Sequence, residues 1–170
     1  MAALRHLPHR LGFQLAGRIS IKRMTPHDEL EERVGHAIAR ALQGRLERDE
    51  RFWHESIEGL RRKMARDDTS LTYEDYGGGQ DENSTQGTVT RSIAKVQGSS
   101  VPPHQGVALH VLARELRPDT VVELGTCLGI SSAYIASALD LNDHGSLTTF
   151  EGGKDLSRVA SINFSRLGLQ

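Results

Sequence analysis

Apolar and polar positions follow a helical spacing through the first third of the chain. Between residues 25 and 68 apolar side chains recur every three or four positions, and the stripe is Leu30, Val34, Ile38, Leu42, Leu46, Trp53, Ile57, Leu60 and Met64. Thr25 and Pro26 are typical of a helix start, and Gly44 predicts a break. We therefore expect one long helix or a helix pair, whose stripe packs on the core or on a second copy in a homodimer.

The segments on either side of this helical region are not expected to pack into the core. Residues 1–24 carry five Lys or Arg residues and no acid, and we interpret them as a frayed basic extension. An amphipathic segment on a membrane surface or a targeting peptide is the alternative. Residues 69–89 are acidic and glycine-rich, which predicts a loop. That loop is either a plain linker or a lid in which Tyr76 and the following glycines fold over a ligand, with Asp75 near it.

The last segment, residues 90–170, changes to a strand and helix alternation. Helices are predicted for residues 90–97 and 103–116, the second with Ala108, Leu109, Leu112 and Leu116 on one face. A buried strand is predicted for residues 120–124, a helix from Ile130, a second strand for residues 147–150 and a last helix for residues 155–167. This order predicts an α/β fold with a Rossmann-like parallel sheet that follows a long helical N-terminal extension. The sheet is incomplete, because only two strands are clear.

An acid at the end of the second strand marks a candidate ligand site. Glu151 follows that strand, and Gly125 and Gly129 bracket the turn after the first one. Parallel strands joined by a crossover helix end at the same edge of the sheet, so the acid and the turn are expected to be neighbours. A carboxylate there can accept hydrogen bonds from both hydroxyls of a ribose. These residues therefore indicate a nucleoside site.

The glycine pattern distinguishes this site from a dinucleotide fingerprint. It runs Glu123-x-Gly125-x-x-x-Gly129 instead of G-x-G-x-x-G. With Glu151 and the flanking helices, it resembles the class I S-adenosylmethionine-dependent methyltransferases, in their O-methyltransferase-like branch. The resemblance covers roughly residues 101–169. It implies that the cofactor is S-adenosyl-L-methionine. It also implies that the reaction is methyl transfer to a small-molecule or sugar acceptor, most often to an oxygen atom of that acceptor.

The resemblance also implies which residues contact that cofactor. Glu151 would hold the ribose and Gly152 would leave room for the adenine. Glu123 would orient the turn and the cofactor amine, and Ser131 would bind the methionine carboxylate. The alternatives are backbone capping by Glu123 and helix N-capping by Ser131 or Ser132. The full implied set is Glu123, Gly125, Thr126, Gly129, Ser131, Glu151 and Gly152.

Sheets of the resembled family have about seven strands, so a third strand is expected to begin past residue 170. The catalytic residues would lie in that part, and none is assigned here. We expect this chain to be a truncated form that carries the cofactor-binding half, with weak or no turnover alone. A non-catalytic remnant or interaction module is one alternative, and a nucleotide-binding oxidoreductase of the NAD type is another.

Composition excludes several other classes. A formal net charge of −1 gives no reason to expect a nucleic acid partner. No apolar run approaches the ~20 residues of a membrane span, so stable membrane insertion is not expected. The single cysteine, Cys127, fits a cytoplasmic location and is interpreted as a small apolar filler of the turn. The eight histidines show no convincing metal spacing, so no metal is expected.

Overall fold

A computed structural model describes residues 28–75 and 87–169. Within these ranges the elements in chain order are α1 Glu29–Gln43, α2 Arg48–Met64, β1 Ser70–Asp75, β2 Gly87–Ser92, α3 Ile93–Gln97, α4 Pro103–Leu116, β3 Thr120–Leu124, α5 Ile130–Asn142, β4 Ser146–Phe150 and α6 Lys154–Leu167. The predictions for residues 1–24 and for Tyr76 with the three glycines after it lie outside the described residues.

The N-terminal helical region is a helix pair. Gly44 ends α1 with a φ of 62°, a left-handed conformation that glycine adopts at no steric cost, so the predicted break is confirmed. The predicted start at Thr25 is wrong. Asp28 is the N-cap of α1, because its backbone is extended and its carboxylate accepts a hydrogen bond from the Glu31 N–H at 2.8 Å.

The acidic segment after the helix pair contains strands that the sequence prediction missed. β1 and β2 pair antiparallel, with Ser70 opposite Ser92 and Asp75 opposite Gly87, so the loop prediction is wrong at both ends of residues 69–89. The predicted helix at residues 90–97 is also wrong in its first half, because β2 continues to Ser92 and the helix begins at Ile93. Most side chains on these strands are polar, so the hairpin has no strong apolar alternation.

The second sheet has the predicted parallel arrangement. β3 and β4 pair through the register Val122 with Thr148 and Leu124 with Phe150, and α5 connects them. The prediction that the first strand is buried is wrong. Val122, Leu124 and Phe150 are 61%, 82% and 57% exposed, because no described element covers the face on which they lie. Within the sheet, β4 contacts α5.

The core lies between the helices. A side chain at Gly106 of α4 would collide with the ring of Tyr134 in α5, since an ideal Cβ there would lie 2.3 Å from Tyr134 Cε2. The most buried positions of α4 are Gly106, Val107, His110, Val111 and Ala113, and none of them belongs to the predicted apolar face. The predicted residues Ala108, Leu109, Leu112 and Leu116 are only half-buried.

The helix pair packs on this α/β unit and shares its core. α1 contacts α4, and α2 contacts α5. Buried side chains of the pair, such as Ala37, Ile57 and Met64, belong to the same apolar cluster as Val111 and Tyr134. Of the apolar stripe, Ile57, Leu60 and Met64 are buried in this core, whereas Leu30 is 58% exposed. In the described ranges, every helix is too short or too polar to cross a membrane.

Candidate functional site

The turn between β3 and α5 has an unusual backbone conformation that leaves space beside it. Gly125, Cys127 and Gly129 all have positive φ, at 88°, 51° and 82°. The N–H groups of Gly125 and Thr126 both donate to the Phe150 carbonyl, at 2.9 and 3.1 Å. The end of β4 therefore fixes the start of the turn. An added Cβ at Gly125 would meet no atom within 4 Å, so the backbone there borders open space among the described residues.

Glu151 faces this turn. One of its carboxylate oxygens accepts a hydrogen bond from the Cys127 N–H at 2.7 Å, and the other accepts from the Gly153 N–H at 2.8 Å. The side chain is half-buried. The acid and the glycine turn are therefore direct neighbours, as the parallel arrangement of the strands predicts.

Glu123 connects the three elements around the turn. Its carboxylate accepts hydrogen bonds from the hydroxyl of Ser132 in α5 and from the hydroxyl of Thr149 in β4, the latter at 2.9 Å. The Thr149 hydroxyl also lies 2.6 Å from that of Thr126. Glu123 thus binds side-chain hydroxyls rather than capping backbone N–H groups, and this network fixes the turn relative to both strands.

Gly129 and the two serines near it differ from the sequence prediction in which residue caps the helix. Gly129 itself is the N-cap of α5, so helix capping by Ser131 or Ser132 is wrong. A Cβ at Gly129 would lie 2.8 Å from Phe164 Cε1 and 3.3 Å from Ala160 Cβ. Gly129 therefore makes room for α6, and Gly125 is the position that leaves space beside the turn.

The two remaining predicted residues lie at the rim of the site. Ser131 is half-buried in the first turn of α5, whose N-terminus carries the positive end of the helix dipole. Gly152 is exposed directly after Glu151. The structure thus brings a carboxylate, an open glycine and a helix N-terminus to one edge of the parallel sheet.

The hairpin forms part of this edge, which sequence reasoning did not predict. The Thr72 N–H donates to the Asp155 carboxylate at 3.0 Å, and a Cβ at Gly153 would lie 3.1 Å from the Cβ of Tyr73. Burial raises the pKa of the Tyr73 hydroxyl, against the opposing effect of Arg91. Arg91 also forms an ion pair with Asp75 at 3.6 Å. The alternation of Leu71 and Tyr73 with polar residues is a local signal for β1, but it is too short to distinguish a strand from a loop.

Cys127 has the properties of a packed thiol. Burial raises its pKa, and the negative charge of Glu151 acts in the same direction. The thiol form is therefore favoured over the nucleophilic thiolate at neutral pH. Across residues 28–75 and 87–169, no group of three or more His, Cys, Asp or Glu side chains is placed to hold a metal ion.

Comparison with known proteins gives two relatives, both named as O-methyltransferases. A catechol O-methyltransferase of Niastella koreensis is 35% identical over 95 residues, which is 56% of this chain and 42% of the relative. A candidate O-methyltransferase of Mycolicibacterium smegmatis is 35% identical over 74 residues, which is 44% of this chain and 34% of the relative.

The resemblance to O-methyltransferases is therefore confirmed: over about half of its length, the chain is a distant homologue of these proteins. The match spans less than half the length of either relative. No family model matches the chain. No solved structure matches it either.

Proposed function

We propose that the chain binds S-adenosyl-L-methionine at the edge formed by Glu151 and the glycine turn, and that it forms the cofactor-binding part of a Rossmann-like O-methyltransferase. The observation that carries this proposal is the Glu151 carboxylate, which faces the turn through its hydrogen bond with the Cys127 N–H. Homology to proteins named as O-methyltransferases supports the choice of cofactor.

The hydrogen bonds of Glu151 leave it able to bind a ribose. A carboxylate oxygen has two lone pairs, and each oxygen of Glu151 accepts one backbone N–H. Each oxygen therefore retains one acceptor position for a further hydrogen bond. Two adjacent acceptors on one carboxylate match the two vicinal hydroxyls of a ribose. The backbone bonds also fix the orientation of the carboxylate before a ligand arrives.

The other end of the cofactor would lie along the glycine turn. Gly125 allows the closest approach to the main chain, because the space beside it is open. The positive end of α5 and the hydroxyl of Ser131 would bind the methionine carboxylate. Glu123, held by Ser132 and Thr149, would orient the turn toward the methionine amine. Thr126 would hold the turn in place for the cofactor, because its N–H is bonded to the Phe150 carbonyl and its hydroxyl lies beside that of Thr149.

When bound, the cofactor supplies an electrophilic methyl group on a sulfonium centre. Methyl transfer is a direct displacement, so the protein contributes mainly by holding the two partners in line and excluding water. In this chain, the residues of the turn and Glu151 would do the holding on the cofactor side. The proposed acceptor is a hydroxyl of a small molecule or a sugar. We propose no catalytic residue among the described side chains.

Calorimetric titration of the chain with S-adenosylmethionine, S-adenosylhomocysteine and NAD tests the proposal. We expect both adenosyl amino acids to bind and NAD to bind at least tenfold more weakly, because the turn lacks the three-glycine pattern that cradles a pyrophosphate. Preferential binding of NAD would replace the proposal with a nucleotide-dependent oxidoreductase. Failure of all three ligands to bind would favour a non-catalytic module.

A further inference from the structure

An arginine-lined cavity lies at the opposite end of the helices from the glycine turn. It has a volume of about 380 Å³ and is lined by Arg33, Arg40, Glu47, Arg114, Glu115, Arg117 and Asn142. Asn142 is the last residue of α5, a helix of 13 residues that begins at the turn. At about 1.5 Å per residue the cavity lies roughly 20 Å from the candidate cofactor edge. It is therefore separate from the site already described.

Two of the four arginines in this cavity are neutralised by carboxylates. Arg40 pairs with Glu50 at 2.6 Å and also with Glu115. Arg114 reaches Glu50 at 3.4 Å. Burial opposes ionisation of Glu50, which is 1% exposed, but hydrogen bonds from the Glu47 N–H and from Arg40 outweigh it and lower its pKa. These pairs form a buried network that joins α1, α2 and α4.

The other two arginines have only neutral partners. Arg33 donates from both Nε, at 3.0 Å, and Nη2 to the Glu115 carbonyl, and Arg117 donates from Nη2 to the Asn142 carbonyl at 3.0 Å. Within the described ranges, neither guanidinium has a carboxylate oxygen within 4 Å. Each has five N–H groups, so most of their donors remain for a ligand. Both charges are favoured where they are by the negative ends of α4 and α5.

The carboxylates near the cavity are already occupied. Glu115 is bonded by Arg40 and lies 3.3 Å from His36. Glu47 is part of the capping box that begins α2, together with Glu50. Among the described residues, the ion pairs to these carboxylates leave Arg33 and Arg117 as the guanidinium groups of the cavity without a carboxylate partner. A further anion would pair with these two guanidinium groups, against the partial negative charge of the two helix ends.

We propose that this cavity binds a multiply charged oxyanion of the phosphoryl type, held by Arg33 and Arg117. A guanidinium group presents two parallel N–H donors that match two oxygens of a phosphoryl group, and charge-assisted bonds of this kind are strong. The volume of about 380 Å³ accommodates an inorganic diphosphate or the phosphate end of an organic monoester. The cavity is broadly open to solvent and Arg117 is exposed, so a ligand has access to it.

Titration with inorganic pyrophosphate at constant ionic strength tests this site. We expect pyrophosphate to bind the unmodified chain and to bind Arg117→Gln roughly tenfold more weakly, because one charged hydrogen-bond donor group is lost. Arg62→Gln is the matched control, since it removes an exposed arginine from α2 away from the cavity. An unmodified chain that does not bind pyrophosphate overturns the proposal. So does an equal loss of affinity in both variants, which would indicate only a general effect of net charge.

Two further measurements keep the test decisive. Arg33 lies on α1, away from Arg117 in the sequence. Arg33→Gln is expected to weaken pyrophosphate binding as much as Arg117→Gln does. If Arg117→Gln lowers the melting temperature without ligand, the Arg33 variant decides the outcome. Titration with glucose 6-phosphate in place of pyrophosphate separates the two sources of the phosphoryl group. If both ligands bind in a way that depends on Arg33, the site accepts an organic phosphate. If pyrophosphate alone binds in this way, the site accepts a free diphosphate. Glu151→Gln is expected to leave pyrophosphate affinity unchanged, so this site and the proposed cofactor site can fail independently.

Discussion

At the scale of single residues, His110 is the buried group whose charge state matters most for stability. It is 2% exposed, and its Nδ1 lies 3.1 Å from the Tyr134 carbonyl and 3.0 Å from the Ser137 hydroxyl. Burial lowers its pKa to about 4, against the smaller opposing effects of the Tyr134 hydrogen bond and the charge of Glu50. Arg114 and Arg40 act in the same direction as burial. The imidazole is therefore neutral in the folded protein at neutral pH.

This burial makes stability depend on pH in a defined window. An unfolded chain protonates His110 near pH 6.5, whereas the folded chain does so only near pH 4, so the unfolded state binds more protons between these values. The free energy of unfolding is expected to fall by up to about 3 kcal/mol as pH drops from 6.5 to 4. Urea denaturation at several pH values measures this slope. His110→Gln should remove most of it, and an unchanged slope in that variant would contradict the assignment.

The site residues show what a sequence can predict at this scale. The contact between Glu151 and the turn follows from strand order alone, because parallel strands end together. Gly129 could not be assigned from sequence, because its packing role depends on Phe164, which lies 35 positions later in α6. The hydroxyl partners of Glu123 were missed for the same reason, since Thr149 lies on another strand. Roles set by long-range contacts are not visible in local patterns.

At the scale of elements, the contact between α4 and α5 depends on the absence of a side chain at Gly106. Gly106→Ala is expected to destabilise the fold by about 1–3 kcal/mol or more, because the new Cβ would overlap the ring of Tyr134. That ring is fixed at its other end, where the hydroxyl donates to Glu58 at 2.8 Å and lies 2.8 Å from His54 Nδ1. Thermal or urea denaturation measures the loss.

A matched glycine in α1 provides the control for this substitution. An added Cβ at Gly35 meets no atom within 4 Å, and the residue has an ordinary helical conformation. Gly35→Ala is therefore expected to stabilise the fold by about 0.5–1 kcal/mol, through the lower entropy of the unfolded chain. Equal effects of the two substitutions would show that Tyr134 does not pack on α4 as described.

Elements with a strong apolar period could be predicted and those without one could not. The helices after Pro103, the two parallel strands and the break at Gly44 follow from local signals. The hairpin of β1 and β2 is mostly polar, so its composition predicts a loop although its backbone pairs along six positions in each strand. The pairing is supported by cross-strand contacts such as the one between the hydroxyls of Thr72 and Thr90 at 3.0 Å.

At the scale of the whole molecule, the helix pair and the α/β unit share one core. The sequence predicts separate segments at residues 25–68 and 90–170, and this division stays a prediction. The stripe on the helices indicates that they need a partner surface, but the choice between the same chain and a second copy depends on shape. The structure places that surface on α4 and α5, where Arg40 and Arg114 meet the buried carboxylate of Glu50.

The central claim is that Glu151 holds the ribose of an adenosyl cofactor. It is tested most directly by removing the ribose hydroxyl and the Glu151 carboxylate, first separately and then together. S-adenosylhomocysteine and its 2′-deoxy analogue are titrated into the unmodified chain and into Glu151→Gln, with Glu55→Gln on the exposed side of α2 as control. Loss of the hydroxyl is expected to weaken binding roughly tenfold in the unmodified chain and in the control, and about twofold or less in Glu151→Gln. The same tenfold loss in Glu151→Gln would contradict the claim, because the hydroxyl would then have another partner.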